Sequence, residues 1–175
     1  MNEKTRALVH GISPGNMNVL EISGEHWSNF PFQSYKSMDY PEFDICSSPL
    51  DETFDLIIAE QVFEHLLWPY KAGKHVYEML RPGGYFLITT PFLIRIHNFP
   101  VDCTRWSETG IKYFLAECGF DLAHIQAASW GNRACVRANF TSWAFYRPWI
   151  HSLANEPDFP VVVWALAQKL SNPDT

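Results

Sequence analysis

The stretch FDLIIAEQVFEHLLWPYKAGKHVYEMLRPGGYFLITT, residues 54–90, decides the fold class. It opens on Asp55-Leu56-Ile57-Ile58-Ala59, apolar on both faces, the pattern of a strand inside a parallel sheet covered by helices. The period then changes. Ala72, Val76, Met79 and Leu80 share one helical face between Lys71 and Leu80. Arg81-Pro82-Gly83-Gly84 stops that helix, because the proline ring cannot continue it and the glycines permit a tight turn. A second apolar run, Gly84 to Thr90, follows at once. Strand, helix and strand in alternation argue for an α/β domain.

Outward from that unit, apolar runs at Asn18–Ile22, Ser34–Asp39, Phe43–Cys46, Phe120–Ala127 and Val161–Gln168 join Asp55–Glu60 and Gly84–Thr90, giving seven strand candidates. A second helix follows Ser107, its N-cap, with Ile111, Phe114, Leu115 and Cys118 as the buried stripe and Gly119 as the stop. A brief helix is expected near Arg6 to Gly11, and an aromatic-rich one over Ala134 to Tyr146, before Pro148, Pro157 and Pro160 make an irregular approach to the last strand. No repeat or linker interrupts the pattern, so residues 1–175 read as one domain.

Composition narrows the functions. With 47% hydrophobic and 18% charged residues the 175-residue chain can build a real core. Its net charge of -6 offers no electrostatic footprint for a nucleic-acid backbone, and none is expected as a partner. Cys46, Cys103, Cys118 and Cys135 are scattered, which favours reduced thiols in the cytoplasm over disulfides or structural zinc. No apolar run reaches membrane-spanning length, and the residues around Glu3, Lys4 and Arg6 do not read as a signal peptide.

In an open parallel sheet, ligands sit beyond the carboxyl ends of the strands. Those ends are acidic here: Glu21-Ile22-Ser23-Gly24-Glu25-His26 after the first, Asp39 after the second, Asp44 in the third, and Glu60-Gln61-Val62-Phe63-Glu64-His65 after the fourth. A dinucleotide needs a glycine-rich turn, but only Gly24 is present, and Glu25 would repel a pyrophosphate. A nucleoside carrying a positive group suits the same crevice better.

In this order of motifs the chain resembles the class I S-adenosylmethionine-dependent methyltransferases, of the small methyltransferase-domain type, over roughly Asn18 to Gly119. Val19-Leu20-Glu21-Ile22-Ser23-Gly24 is similar to the family's first motif around the methionine end of the cofactor. Asp39, 18 positions after Glu21, resembles the acidic residue that takes the ribose hydroxyls, and Asp44-Ile45 the pair that holds the adenine edge. Phe54-Asp55-Leu56-Ile57-Ile58 and Leu80-Arg81-Pro82-Gly83-Gly84 resemble the fourth-strand motif and the turn before strand five. The resemblance implies a Rossmann-like, mostly parallel seven-stranded sheet with helices on both faces and an antiparallel last strand. It also implies S-adenosyl-L-methionine as cofactor, with Glu21, Ser23, Gly24, Asp39, Asp44, Ile45 and Glu60 as its contacts. The sequence departs from the pattern where Ser23, Glu25 and His26 replace glycines, where only four residues separate Asp39 from Asp44, and in a reduced N-terminal lid.

The loop from Pro91 to Trp106 carries His97, Asp102 and Arg105 and is similar to a loop of methyltransferases that accompany bacterial polysaccharide and glycan assembly enzymes. His97 is a candidate base, Arg105 a candidate anchor for an acidic acceptor, and an Asp102–Arg105 ion pair that merely orders the loop is an equal alternative. His65 is a second candidate base. No metal is expected, because no second histidine or cysteine lies at usual ligand spacing from His97. Trp27, Trp68, Trp106 and Trp130 read chiefly as packing.

The expected activity is methyl transfer to an oxygen or nitrogen of a small-molecule or glycan-like acceptor, with a homodimer or a partner protein left open. The alternative is a catalytically degenerate member that serves as a binding or partner module. Aminopropyl transfer would use the same acidic crevice, but no paired-aspartate motif supports it.

Overall fold

A computed structural model describes residues 2–143 and 145–171. Six strands form one sheet in the order β2-β1-β3-β4-β6-β5: β1 (Asn18–Ile22), β2 (Ser34–Met38), β3 (Phe54–Glu60), β4 (Leu80–Pro91), β5 (Ile125–Trp130) and β6 (Val162–Gln168). The first four run parallel, and β6 lies antiparallel between β4 and β5. The Rossmann-like α/β reading and its antiparallel last strand hold, with six strands in place of seven.

The missing strand is Phe43–Cys46. Phe43 and Ile45 are buried two residues apart, which mimics a strand, but the chain turns there. Phe43 N–H bonds Asp39 O, and the Asp44 carboxylate accepts Cys46 N–H at 2.9 Å and Ser47 Oγ at 2.7 Å. These local bonds compete with any ladder, and Pro41 has no N–H to give one. Phe120–Ala127 is corrected likewise: Asp121 accepts Ala123 N–H at 2.8 Å and caps a tight turn, so β5 begins only at Ile125.

Helices cover both faces. α2 (Pro69–Met79) and α3 (Glu108–Glu117) lay Val76, Met79, Phe114 and Leu115 on Leu20, Ile57, Phe86 and Ile88. α1 (Asn2–Gly11) sets Val9 beside Trp27, Leu56, Ile58 and Leu87 on the other face. Strand periodicity divides β3 between the two cores: Ile57 points one way, Leu56 and Ile58 the other. The aromatic-rich helix shrinks to α4 (Arg133–Ala138), capped by Asn132 and ended at Asn139. Position 144, inside the longer expected span, lies outside the described residues.

The first residues of β4 fix the sheet's amino end: the turn expected over Arg81–Gly84 is the irregular start of that strand, where its pairing with β3 shifts register. Arg81 grips the Asp55 carboxylate at 2.8 and 3.0 Å, and the same carboxylate accepts Asn18 N–H at 2.8 Å, so the starts of β1, β3 and β4 are tied together. Gly84 is required there: a Cβ would stand 2.9 Å from Arg81 O and 3.1 Å from Asp55 O. Two surface concavities also lie at this end, and none of the candidate site residues lines them.

Candidate active site

At the opposite end, β1 runs into a left-handed turn. Ser23 has φ 61° and Gly24 φ 110°, a conformation that suits glycine and strains serine. Gly24 N–H donates to Asp39 Oδ1 at 2.9 Å, while Ser37 Oγ donates to Gly24 O. The tips of β1 and β2 are thereby tied together. Asp39 is exposed, and a carboxylate has lone pairs beyond the one that Gly24 occupies.

Glu21 behaves differently from its neighbours at the tips. It is fully buried, and its carboxylate accepts His26 N–H at 3.1 Å, Trp27 N–H at 3.0 Å and Tyr35 Oη–H at 2.5 Å. Glu21 is therefore the brace that shapes the turn in place of the absent glycines. The phenol of Tyr35 is held far above its ordinary range by burial and by that carboxylate. Trp27 anchors the turn beneath an aromatic cluster with Phe30 and Phe32. Asp44 has both oxygens engaged in its own turn, and Ile45 is buried with its carbonyl accepting or facing His75 Nδ1 at 2.7 Å.

Glu60 ends β3, half-buried. Burial pushes its carboxyl above the usual range; Trp27 opposes this, the nearby Glu21 charge adds to it by less, and His26 and Thr5 oppose it less still. A bound cation would relieve this carboxylate, and a positively charged nucleoside meets that need where a pyrophosphate would add to the strain. With Asp39 available beside the Gly24 turn, the residues present fit S-adenosylmethionine.

The other half of the site is built by the segment after β3 and the loop after β4. The fold brings together what 32 positions separate: the rings of His65 and His97 meet edge to face, 4.9 Å between centroids. Asp102 organises the loop. Its carboxylate accepts His97 N–H at 2.9 Å, lies 3.1 Å from His97 Nδ1, and takes both Nη atoms of Arg105. Burial alone would raise the Asp102 carboxyl, but the bonds from Arg105 and His97 hold it below the usual range. Burial also lowers His97 below its ordinary value, with Asp102 opposing. Arg105 thus directs its fork at Asp102, the ion-pair geometry weighed from the sequence.

Beside these rings lies Glu64, which the sequence marks only as an acidic residue past the tip of a strand. It is fully buried, neither carboxylate oxygen has a hydrogen-bond partner, and burial pushes its pKa up to about 7. Its backbone carbonyl accepts Cys103 N–H at 2.7 Å, which closes the loop over the β3 tip. One ligand atom each from Glu64, His65 and His97 lie within 4.8 Å of one another, so ligands absent at usual sequence spacing are supplied by the fold. The only hint in the sequence was the Glu64-His65 pair itself, just past the tip of an apolar strand. Trp106, nearly buried, packs on Phe114 at 4.9 Å.

Residues 12–88 match the family model described as a methyltransferase domain. No curated protein matches the chain. Among solved structures the chain is similar to an S-adenosylmethionine-dependent methyltransferase of Thermotoga maritima, at 11% identity and TM-score 0.63, covering 95% of this chain and 88% of that one. It is also similar to a Haloferax volcanii structure, the complex of a methyltransferase activator with a methyltransferase, at 12% identity and TM-score 0.62, covering 99% and 93%. A third is phosphoethanolamine N-methyltransferase 2 of Haemonchus contortus with S-adenosyl-L-methionine bound, at 13% identity and TM-score 0.61, covering 97% of this chain and 53% of that one. At these identities the likeness is one of fold.

Proposed function

We propose that this chain is a class I S-adenosylmethionine-dependent methyltransferase, a reading supported by the methyltransferase-domain match over residues 12–88 and by its sheet, and that it methylates an oxygen or nitrogen of a small-molecule or glycan-like acceptor. The observation that carries the cofactor half is Asp39, an exposed carboxylate held by Gly24 N–H at the joined tips of β1 and β2. There it serves a ribose diol, whose two donors want one carboxylate. Ser23 and Gly24 offer the turn, Glu60 the negative charge facing a cationic tail, and Asp44 and Ile45 the adenine side. When bound, the cofactor supplies a methyl group on a positively charged sulfur, a strong electrophile.

The chain's own contribution is alignment more than proton chemistry. Glu21 holds the turn rigid from below. His97 and His65 line the acceptor side, and a neutral imidazole there takes the proton of an acceptor hydroxyl; Asp102 orients His97, and Arg105 orients Asp102. Exposed Trp143, in contact with the His97 ring at 5.7 Å and beneath Arg95 at 4.6 Å, supplies an apolar face suited to a sugar or other ring. Four free cysteines support a reducing, cytoplasmic setting. Among the described residues no helix is long and apolar enough to cross a membrane.

The test is calorimetric titration with S-adenosylmethionine and its demethylated product. Heat for both, with affinity weakened in Asp39→Ala, is the expected result; no heat at millimolar ligand sinks the reading. A second reading, a partner-binding module without catalysis, is favoured by the strained Ser23 and by exposed Phe145 and Trp149. The methyltransferase complexed with an activator in Haloferax volcanii supports a partner for this fold. Absent cofactor heat together with a stable stoichiometric partner or homodimer would select it.

A further inference from the structure

We infer that Glu64, His65 and His97 form a binding site for one divalent transition-metal ion of the zinc type. Each offers one ligand atom and the three lie within 4.8 Å of one another. Two imidazoles and one carboxylate are a donor set for such ions, and three protein ligands leave a position open for substrate or water.

The second observation is Glu64 itself. A carboxylate with zero exposure and no hydrogen bond to either oxygen is costly unless something positive reaches it. Arg105 acts on it through its charge alone, without a hydrogen bond. Arg105 gives its fork to Asp102, and His65 Nε2 stands 3.7 Å from Glu64 Oε1, outside hydrogen-bond range.

The histidines are also oriented as ligands are. His65 Nδ1 bonds the carbonyl of Val101, which can only accept, so Nδ1 carries the proton and Nε2 turns its lone pair toward Glu64. His97 Nδ1 is likewise faced by a carboxylate, Asp102, at 3.1 Å. A carbonyl or carboxylate behind each imidazole is the usual outer support of a metal-bound histidine. With Glu64 ionised, its charge and that of Asp102 outnumber Arg105, a surplus that the ion would neutralise. Two ligands about 2.1 Å from a tetrahedral ion stand about 3.4 Å apart, so binding must draw these side chains together by roughly 1 Å. His97, on a loop and partly exposed, is the one free to swing.

The ion's use, though not its binding, rests on the proposed methyl transfer. Coordinated at the open position, an acceptor hydroxyl would lose its proton more readily, to solvent water, with the imidazoles serving as ligands instead of bases. The experiment titrates the full chain, stripped with chelator, with cobalt(II) followed by visible absorption and with zinc(II) by calorimetry. One ion per chain is expected, with affinity at least tenfold weaker in Glu64→Gln and in His97→Asn. Circular dichroism checks that each variant folds; His97→Asn, altering a loop residue, serves if Glu64→Gln does not. No cobalt bands in the wild type, or equal affinity in a folded variant, overturns the inference. Titration with the demethylated cofactor product on the same samples separates the two ideas. Nucleoside bound without cobalt refutes the metal alone, and cobalt bound without nucleoside refutes the methyltransferase reading alone.

Discussion

Two glutamates follow the same sheet into its carboxyl end, both fully buried, and they could hardly be more different. The Glu21 carboxylate accepts two backbone amides and a phenol; the Glu64 carboxylate has no hydrogen-bond partner from another residue. A buried carboxylate with every donor in place is architecture, because its charge is stabilised by the fold that buries it. A buried carboxylate with none is a cost that a folded chain keeps for another purpose. The β1–β2 side of the cleft is therefore finished without ligand, while the β3–loop side is not.

The largest effect should come from breaking the finished side. Glu21→Ala strands His26 N–H, Trp27 N–H and the Tyr35 hydroxyl in the interior, and should cost about 3–5 kcal/mol in chemical denaturation. A loss under about 1 kcal/mol would show that the turn does not depend on its brace. Next in size, Asp39→Ala removes an exposed carboxylate with a single bond to Gly24 N–H. Binding of the demethylated cofactor product should weaken about 10- to 100-fold, with unfolding shifted by less than about 1 kcal/mol.

The same contrast explains what the sequence made readable. The apolar run at residues 55–59 and the α2 stripe are local patterns, and they stand as a strand and a helix as expected, the helix ending at Met79 just before Arg81-Pro82-Gly83-Gly84. Phe43–Cys46 misled because two buried residues at strand spacing can also lie in a turn stabilised by an aspartate, and periodicity does not see Asp44's hydrogen bonds. Around the site, Asp39 and Glu21 could be picked out as tip carboxylates. Their division into an exposed carboxylate and a buried brace could not, since it depends on three-dimensional donors from residues 26, 27 and 35. The meeting of Glu64 and His65 with His97 was hidden for the same reason: the loop after β4 folds back over the β3 tip, and no spacing in the chain encodes that return.

On the unfinished side the sign should reverse. Replacing Glu64 by an apolar residue of similar volume removes an unpartnered carboxylate, so Glu64→Leu in metal-stripped protein should be neutral or more stable by about 1 kcal/mol near pH 8. Denaturation curves compared with Glu21→Ala test the contrast directly. A loss as large as that of Glu21→Ala would mean that Glu64 too is structural, and the distinction between the two sides would fail.

Glu60, lying between the two sides, gives the smallest and most diagnostic effect. Its carboxyl is raised by burial and by the Glu21 charge, so the folded protein holds its proton to higher pH than the unfolded chain does. Such a group stabilises the fold fully below its unfolded pKa of 4.5, and that contribution disappears as pH rises through the folded value. Glu60→Gln has no charge to bury and keeps the neutral form at every pH. The melting temperature of the variant relative to wild type should therefore climb from about pH 4.5 upward and then level off, a gain of under about 1 kcal/mol at its plateau. A difference that stays flat with pH would place Glu60 in ordinary solvent. If saturating S-adenosylmethionine narrows the gap at neutral pH, its cation is compensating the wild-type carboxylate. That result would extend the contrast to Glu60, as a carboxylate that the fold leaves for the ligand to stabilise.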